Sequence, residues 1–306
     1  MNPTLIRLLR SRAGTAGRRT LNSSPLVPPG VRRATGGWFL SSADYHVLGT
    51  GDVARAAAEA LVGSPDDGWR SPRVALRQHR LWRRLQSSGT RRDAENLIWA
   101  VSAALDSDRR LPDAHNASEA RALLVELGCG SAYNAALVAA ALSTDRIPPR
   151  YLGLDTSLSA LRLGARAFPG TYLAAADSRA VPLPACGADI VLDGAALMHV
   201  PRWEATVAEM CRVARRAVIL HTVTTATSAP TTYLTKRAYG YPVVEVVIAE
   251  AELRAQLLLA GFEVKGVRPG IDYDLRAFIG IATRSQTWIC VPATPSDRRV
   301  AGRAPG

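Results

Sequence analysis

Lysine is almost absent from this chain of 306 residues: only Lys236 and Lys265 are lysines among its 38 basic residues. Alanine is abundant, and the two biases together are typical of coding from a GC-rich genome. The formal net charge of +12 therefore does not by itself indicate a polyanionic partner. The arginine pairs are dispersed, and no aromatic residues alternate with them as a base-stacking surface would require. We expect neither nucleic acid nor a membrane as a partner.

Cysteine is scarce as well, and no apolar run approaches the roughly 20 residues that cross a bilayer. The four cysteines lie far apart, without the spacing of metal ligands. Three of the four fall in predicted core elements, where a thiol packs as a small apolar group. We expect a soluble, cytoplasmic protein without structural disulfides and without a bound metal.

Acidic residues are missing from residues 1–43, which carry several arginines and helix-breaking prolines. This composition favours a disordered basic leader, although an organellar transit peptide would share it. At the other end, residues 292–306 are rich in proline, arginine and small residues, and we expect a flexible tail. The folded part of the chain is expected between these two segments.

One central segment combines an apolar run, two glycines and a helix-forming stretch. Ala122–Leu127 suits a buried parallel strand, and Ala135–Leu142 suits a helix capped by Ser131. Gly128 and Gly130 allow the sharp turn between the two and leave no Cβ beside a ligand on the main chain. This turn is where we expect a small-molecule cofactor.

The residues around the two glycines distinguish between classes of cofactor. A dinucleotide fingerprint has Gly or Ala three positions after its second glycine, where this chain has Tyr133. Glu126, two residues before the first glycine, would repel a phosphate and attract an ammonium or sulfonium group. The segment therefore favours a cationic ligand.

The same stretch, Val-Glu-Leu-Gly-Cys-Gly-Ser-Ala at positions 125–132, resembles the first motif of the class I S-adenosylmethionine-dependent methyltransferases. The ligand of that family carries both kinds of cation. Many members have glycine where this chain has Ala132, and alanine is a common substitute. The resemblance implies S-adenosyl-L-methionine as the cofactor, bound at Glu126, Gly128, Cys129 and Gly130.

Acidic residues also follow later predicted strands. A carboxylate at Asp155 can accept two hydrogen bonds from a ribose; the alternative is that it caps a helix beginning at Thr156. The resemblance implies that Asp177, followed by Ser178, contacts the adenine amino group. Asp193 is expected either to bind the cofactor's amino group or only to terminate its strand. With Thr156, these residues complete the predicted cofactor site.

Strands and helices alternate along the rest of the chain, which predicts an α/β fold with a mostly parallel sheet covered by helices on both faces. Further strands are expected at Ala217–His221, Phe262–Val264 and Gln286–Val291, and Gly261 suits the C-terminal cap of the helix before the second of them. The family resemblance implies a doubly wound seven-stranded sheet over residues 117–291, with its last strand antiparallel.

Residues 44–116 are predicted to be an N-terminal helical extension, because three stretches carry an apolar stripe at helical spacing. The clearest stripe runs through residues 94–105. These helices either brace the sheet and each other or form part of a lid over the acceptor pocket, where excluding water would protect a methyl transfer. In the second case Trp38, Tyr45 and His46 are candidate lid contacts.

Two histidines are candidates for the general base that a hydroxyl acceptor needs. His199 belongs to Ala-Leu-Met-His-Val-Pro at 196–201, which is similar to the family's leucine-histidine segment after the fourth strand. His221 ends the predicted fifth strand. Both fall at the carboxyl edge of the sheet, where doubly wound folds bind their ligands. Packing, or a hydrogen bond to the backbone, is the alternative for each.

The acceptor is expected at Thr222–Val246, a connection too long for a plain loop. Its candidate substrate residues are Tyr233, Lys236, Arg237 and Tyr239. This basic and aromatic set suits an anionic or polyhydroxylated small molecule. The alternative is that Val243–Ile248 is an added strand beside which the tyrosines pack. Residues 272–274 are expected to contribute from a second loop or to act only as turn residues.

These features predict an S-adenosylmethionine-dependent methyltransferase that acts on a small molecule, first of all as an O-methyltransferase in specialised metabolism or glycan modification. Family members that methylate base nitrogens or glutamine usually carry Asn-Pro-Pro or Asp-Pro-Pro after the fourth strand, where this chain reads Asp-Gly-Ala-Ala at 193–196. An RNA or protein methyltransferase and a non-catalytic cofactor-binding scaffold are the alternatives. The sequence does not indicate an oligomeric state.

Overall fold

The computed structural model describes residues 42–62, 67–86, 92–106, 121–142 and 148–293. The predictions for the leader before residue 42 and for the tail after residue 293 fall outside these ranges. The strands are β1 (Ser42–Thr50), β2 (Leu123–Leu127), β3 (Arg150–Asp155), β4 (Tyr172–Ala175), β5 (Ala188–Gly194), β6 (Ala214–Ala226), β7 (Thr232–Ala238), β8 (Tyr241–Ala249), β9 (Phe262–Pro269) and β10 (Arg284–Pro292). The helices are α1 (Gly51–Val62), α2 (Pro72–Gln86), α3 (Arg92–Asp106), α4 (Tyr133–Leu142), α5 (Leu158–Ala167), α6 (Trp203–Val213), α7 (Glu250–Leu259) and α8 (Arg276–Ile279), with 3-10 turns at Gly68–Arg70 and Leu197–His199.

Seven of the strands form a sheet in the order β4-β3-β2-β5-β6-β10-β9. Strands β4, β3, β2, β5 and β6 pair in parallel, whereas β10 runs antiparallel to both β6 and β9. This arrangement confirms the predicted doubly wound α/β fold, including its one antiparallel strand. The carboxyl ends of β2, β3 and β5 meet at one edge of the sheet, which positions the loops that follow them side by side.

Three further strands bring the sheet to ten rather than seven. Strands β7 and β8 form an antiparallel hairpin, and β1 pairs with β7. The hairpin joins the main sheet through β8, which meets β6 only near Ala226. The predicted connection 222–246 therefore corresponds to the end of β6 and to this hairpin, and the strand foreseen as an alternative at Val243–Ile248 is part of β8. Within its described residues, the N-terminal extension consists of β1, three α-helices and one 3-10 turn.

The helices bury their apolar stripes against the two faces of the sheet. On α3, Leu97 and Val101 are fully buried and pack with Leu124, Ile190 and Ile219 from three central strands. Helices α6 and α7 contribute to the core on the other face. Helix α3 thus braces the sheet, the first of the two roles considered for the extension. None of the helices in the described ranges is long and apolar enough to cross a membrane.

Helix α2 and the 3-10 turn before it lie over the carboxyl edge of the sheet. Helix α2 packs on α5, and the turn packs on β8. Gly68 allows that close approach, because a Cβ at this position would lie 2.6 Å from the carbonyl oxygen of Pro242. The extension therefore supplies both a brace, α3, and a cover over the ligand edge, α2.

Candidate functional site

A cavity opens at the carboxyl ends of β2, β3 and β5, beneath α2 and the 3-10 turn. Of the predicted cofactor residues, those that line it are Glu126, Gly128, Cys129, Gly130, Asp155, Thr156, Asp177 and Ser178. Of the predicted catalytic and substrate residues, those that line it are His199, Lys236 and Tyr239. The structure thus brings eight of the nine predicted cofactor residues, and three of the six predicted catalytic and substrate residues, into one cavity.

The glycine turn between β2 and α4 presents bare main chain to this cavity. Gly128 and Gly130 have φ angles of 65° and 54°, in the left-handed region that favours glycine. A Cβ on Gly128 would overlap the Cβ of Ala196. Ala132 also has a positive φ, 61°, and backbone strain of this kind clusters at functional sites. A ligand can therefore approach the backbone closely at this turn.

Glu126 lies beneath the turn with its side chain buried. One carboxylate oxygen accepts a hydrogen bond from Asn134 Nδ2 at 2.7 Å, and the other accepts one from the Tyr151 hydroxyl. Burial raises the pKa of Glu126 to about 8, against the opposing effect of these two hydrogen bonds. The carboxyl group is therefore mostly protonated at neutral pH, and a cation placed beside it would favour its ionised form.

Asp155 holds the glycine turn in place. Its Oδ2 accepts the Gly130 N–H at 2.8 Å, and its Oδ1 accepts the Ser157 N–H at 2.7 Å. Ser157 is the N-cap of α5, so capping of this helix does not fall to Asp155 or begin at Thr156. Burial raises the pKa of Asp155. The carboxyl group organises the turn and lines the cavity, and its contact with a ribose stays a prediction.

Asp177 and Ser178 line the cavity from the loop after β4. Asp177 forms an ion pair with Arg179, with 2.6 Å between Nη2 and Oδ2, and this hydrogen-bonded pairing lowers the pKa of Asp177. The Ser178 hydroxyl lies 3.0 Å from the Thr206 hydroxyl. Their expected contact with an adenine stays a prediction.

Asp193 does not line the cavity, contrary to its assignment to the cofactor site. It is buried, and its Oδ1 accepts the backbone N–H groups of Ala196 at 3.1 Å and Leu197 at 2.8 Å. Burial raises the pKa of Asp193 to about 7. The side chain shapes the turn after β5, which agrees with the alternative that it only terminates its strand.

His199 lies in the 3-10 turn after β5 with a fixed tautomer. Its Nδ1 is 2.6 Å from the carbonyl oxygen of Val244, and because a carbonyl only accepts, Nδ1 carries the proton and Nε2 carries the lone pair. The Trp69 ring covers it at a centroid distance of 4.6 Å. Burial and the charge of Lys236 lower the pKa of His199 to about 3, so the ring is neutral at physiological pH.

His221, the second predicted base, is not brought to the cavity. It is buried inside β6, and its Nδ1 lies 2.9 Å from the Thr287 hydroxyl on β10. The prediction placed His221 at the carboxyl edge because it ended the fifth strand there, whereas β6 continues to Ala226. The side chain therefore has a packing and hydrogen-bonding role within the sheet.

Lys236 reaches the cavity wall from β7 and belongs to a buried polar cluster. Its Nζ lies 2.7 Å from Glu245 Oε2 and donates to the Tyr273 hydroxyl at 2.9 Å. The same Tyr273 hydroxyl donates to Glu245 Oε2 at 2.9 Å. Glu245 is fully buried on β8. The ammonium group is thus held by a carboxylate and a phenol behind the cavity wall.

Tyr233 and Arg237 do not line the cavity, because successive side chains of a strand point to opposite faces of the sheet. Lys236 and Ala238 face the cavity from β7. Tyr233 is buried in the core cluster that also contains residues of α1, and Arg237 is exposed. Tyr239 follows the strand with a φ of 54° and lines the cavity.

The cover contributes residues that the sequence did not single out, namely Trp69, Gln78 and Trp82. Helix α2 is fastened to the glycine turn, since His79 Nδ1 lies 3.1 Å from the Ser131 hydroxyl and the Tyr133 hydroxyl donates to the His79 carbonyl at 2.6 Å. Ser131 therefore bonds to α2 rather than capping α4. The apolar stripe of α2 was the available signal, and it does not specify what the helix covers.

The residues predicted as lid contacts lie elsewhere. The hydroxyl of Tyr45 is 3.3 Å from that of Tyr273, behind the cavity, and His46 is exposed on β1. Trp38 falls outside the described residues. The cover is formed instead by α2 and by the turn that contains Trp69.

Comparison with known proteins gives one family match, over residues 125–221, to the family described as a methyltransferase domain. No curated protein matches the chain. Magnesium protoporphyrin IX methyltransferase from Synechocystis PCC 6803 is similar at 17% identity over 95% of this chain and 97% of that chain, with a TM-score of 0.42. An S-adenosylmethionine-dependent methyltransferase from Mesorhizobium loti is similar at 17% identity over 62% and 96%, with a TM-score of 0.42. An amino pentose methyltransferase from Micromonospora echinaspora is similar at 18% identity over 63% and 91%, with a TM-score of 0.39.

Proposed function

We propose that this chain, whose residues 125–221 match a family described as a methyltransferase domain, is a class I S-adenosylmethionine-dependent methyltransferase that methylates an oxygen atom of a small molecule, in specialised metabolism or glycan modification. The observation that carries the proposal is that the glycine turn and the pair His199 and Lys236 line one cavity. A cofactor held at the turn and an acceptor held at the pair would share that cavity, which is what direct transfer between them requires.

The residues present fit the cofactor. When bound, S-adenosylmethionine supplies a methyl group activated by a sulfonium. The bare backbone at Gly128 and Gly130 leaves space for it, and the buried carboxyl group of Glu126 and the half-buried one of Asp155 suit its cationic and ribose groups. Asp177 and Ser178 line the same cavity and are the proposed contacts of the adenine. These residues bind and orient, and in-line transfer needs little else from the protein.

A small acceptor is supported by the burial of the residues that would meet it. Lys236 is only 5% exposed, and His199 is covered by Trp69. Tyr239 and Trp69 form a further aromatic contact, with their ring centroids 6.0 Å apart. A macromolecule would have to insert an extruded base or side chain beneath this cover. A molecule that enters the cavity whole meets no such requirement.

His199 is the proposed acceptor of the proton that a hydroxyl must lose. Its Nδ1–H is tied to Val244, which leaves the Nε2 lone pair as the free acceptor. A pKa of about 3 makes the ring a weak base. A weak base suffices here, because an oxygen that is acquiring a methyl group becomes strongly acidic. His199 would therefore orient the hydroxyl first and take its proton as the new bond forms.

The test is transfer of label from methyl-tritiated S-adenosylmethionine to separated fractions of a cell extract. We expect label in the small-molecule fraction and none above background in RNA or protein. Replacing His199→Ala should lower the transfer rate roughly 100-fold while cofactor affinity stays nearly unchanged. Label found only in RNA or protein would contradict the proposal, and an unchanged rate in the variant would return His199 to a packing role. His46→Ala, on the exposed face of β1, is the matched control.

A further inference from the structure

Both cations that line the cavity are already paired with carboxylates. Lys236 Nζ lies 2.7 Å from Oε2 of the fully buried Glu245, and Arg179 Nη2 lies 2.6 Å from Asp177 Oδ2. Neither cation therefore offers its full charge to a ligand. Among the described residues, no further lysine or arginine lines the cavity.

Carboxyl groups outnumber cations around the cavity. Asp67, Glu126 and Asp155 line it in addition to Asp177, and none of these three has an ion-pair partner within the described ranges. A bound S-adenosylmethionine, with two cationic groups and one carboxylate, would favour the ionised form of Glu126 and would offset only part of the negative charge of the four carboxylates. Even then the cavity gains no surplus of positive charge with which to bind an anion.

Arginines near the rim do not change this balance. Arg77 donates to the carbonyl oxygen of Tyr239, and Arg237 donates to that of Gly240, but both side chains are exposed. Exposed charges are screened by water and salt over roughly 10 Å. They can steer an approaching molecule without providing a dry anion site.

Lys236 still has one donor to give. Its ammonium carries three N–H groups, and Glu245 and Tyr273 occupy two of them. A carboxylate placed on the third N–H would also lie near Glu245, and since Coulomb energy falls as 1/r, repulsion at about twice the distance would cancel roughly half of the attraction. A neutral oxygen makes the same hydrogen bond without that repulsion.

We propose that the acceptor is uncharged where it meets Lys236, a polyhydroxylated rather than an anionic molecule, and that Glu245 and Tyr273 are positioning residues for the Lys236 ammonium. This inference rests on the proposed function. Glu245 cancels the charge of Lys236, and Tyr273 fixes its direction, so that a single N–H faces the cavity as a hydrogen-bond donor.

The presence of only two lysines allows a direct test that needs no identified acceptor. In protein labelled with 13Cε-lysine and loaded with S-adenosylhomocysteine, Lys236 and the exposed Lys265 give separate signals. Benzamide and benzoate, which match in shape and differ in charge, are titrated against the Lys236 signal. We expect benzamide to bind wild-type protein at least as tightly as benzoate. In Glu245→Gln, the affinity for benzoate relative to that for benzamide should rise at least tenfold.

Tyr273→Phe is the matched variant, because it removes a hydrogen bond to Lys236 and leaves the Glu245 charge in place. It should keep the wild-type ratio of the two affinities. The proposal is overturned if wild-type protein binds benzoate more tightly than benzamide. It is also overturned if Glu245→Gln does not raise the affinity for benzoate relative to benzamide, or if Tyr273→Phe raises it as much as Glu245→Gln does. Thermal unfolding and S-adenosylhomocysteine binding check that each variant is folded.

A second experiment separates this proposal from the proposed function. The small-molecule extract is divided by ion exchange at pH 7 into anionic, neutral and cationic pools, and each is incubated with methyl-tritiated S-adenosylmethionine. Label in the neutral or the cationic pool supports the proposal, and label confined to the anionic pool overturns it. Label in no pool, but in RNA or protein, would instead contradict the proposed function, and the lysine titration would then decide the charge of the subsite.

Discussion

Glu126 shows how one residue can link protonation to ligand binding. In the free protein its burial raises the pKa to about 8, well above the ordinary value of 4.5. The unfolded chain loses this proton near pH 4.5, whereas the folded protein keeps it up to about pH 8. The free energy of unfolding of the ligand-free protein therefore falls as the pH rises between these two values. A cationic ligand beside the carboxylate favours the ionised form, and the proton must then leave on binding.

We therefore expect cofactor binding at pH 7 to release about one proton per site. Calorimetric titration with S-adenosylmethionine in buffers of different ionisation enthalpy measures this number directly. Because the free site must first lose its proton, affinity should fall as the pH is lowered from 8 towards 5. Glu126→Gln has no proton to release at this position, so its enthalpy of S-adenosylmethionine binding should not depend on the buffer. Proton uptake by the wild type would contradict this account of Glu126.

At the scale of single residues, the sequence predicted which residues belong to the site better than it predicted what those residues contact. Glu126 and Asp155 were found because each ends an apolar run beside a turn, and both line the cavity. Their partners could not be predicted, since Asn134 and Tyr151 reach Glu126 only after α4 and β3 pack around it. Lys236 and Tyr233 were indistinguishable for a similar reason, because the phase of strand β7 was unknown.

At the scale of elements, the turn between β2 and α4 is the feature on which cofactor binding depends. Gly128 has a φ of 65°, and a Cβ there would overlap Ala196 in the turn after β5. Any side chain at this position must displace one of the two turns. Gly170 offers a comparison, because its φ is 87° and a Cβ there would meet nothing within 4 Å.

Gly128→Ala should therefore cost about 2–4 kcal/mol in the free energy of unfolding and lower cofactor affinity at least tenfold, since steric overlap adds to the strain of a positive φ. Gly170→Ala should cost only about 1 kcal/mol and leave affinity unchanged. Chemical denaturation and cofactor titration of both variants provide the measurement. Equal effects of the two substitutions would show that the close contact between Gly128 and Ala196 affects neither stability nor cofactor affinity.

Elements with a strong local pattern were predicted, and those formed by remote pairing were not. The apolar stripe of α3 is enough to predict a helix, and the apolar run before Gly128 is enough to predict a buried strand. Strand β1 lacks such a pattern and is held by β7, far along the chain. The end of β6 was placed too early because three of its last five residues are threonines, and this stretch gains its strand partners from β8 and β10.

Across the whole molecule, one cavity is assembled from distant parts of the chain. The glycine turn and the acidic residues form its floor, and the hairpin β7–β8 contributes Lys236. Helix α2 from the N-terminal extension covers it with Gln78 and Trp82 and is attached to the glycine turn through His79. The residues of the floor could be predicted from sequence motifs, because binding a cofactor restricts which residue types can occur there. The cover follows from packing, which has no comparable signature.

The most direct measurement of the central claim is calorimetric titration of the intact protein with S-adenosylmethionine and, separately, with NAD. The account predicts one S-adenosylmethionine per chain, no measurable binding of NAD, and an affinity for S-adenosylmethionine that is at least tenfold lower in Gly128→Ala. Binding of NAD alone, or S-adenosylmethionine binding that Gly128→Ala leaves intact, would contradict it.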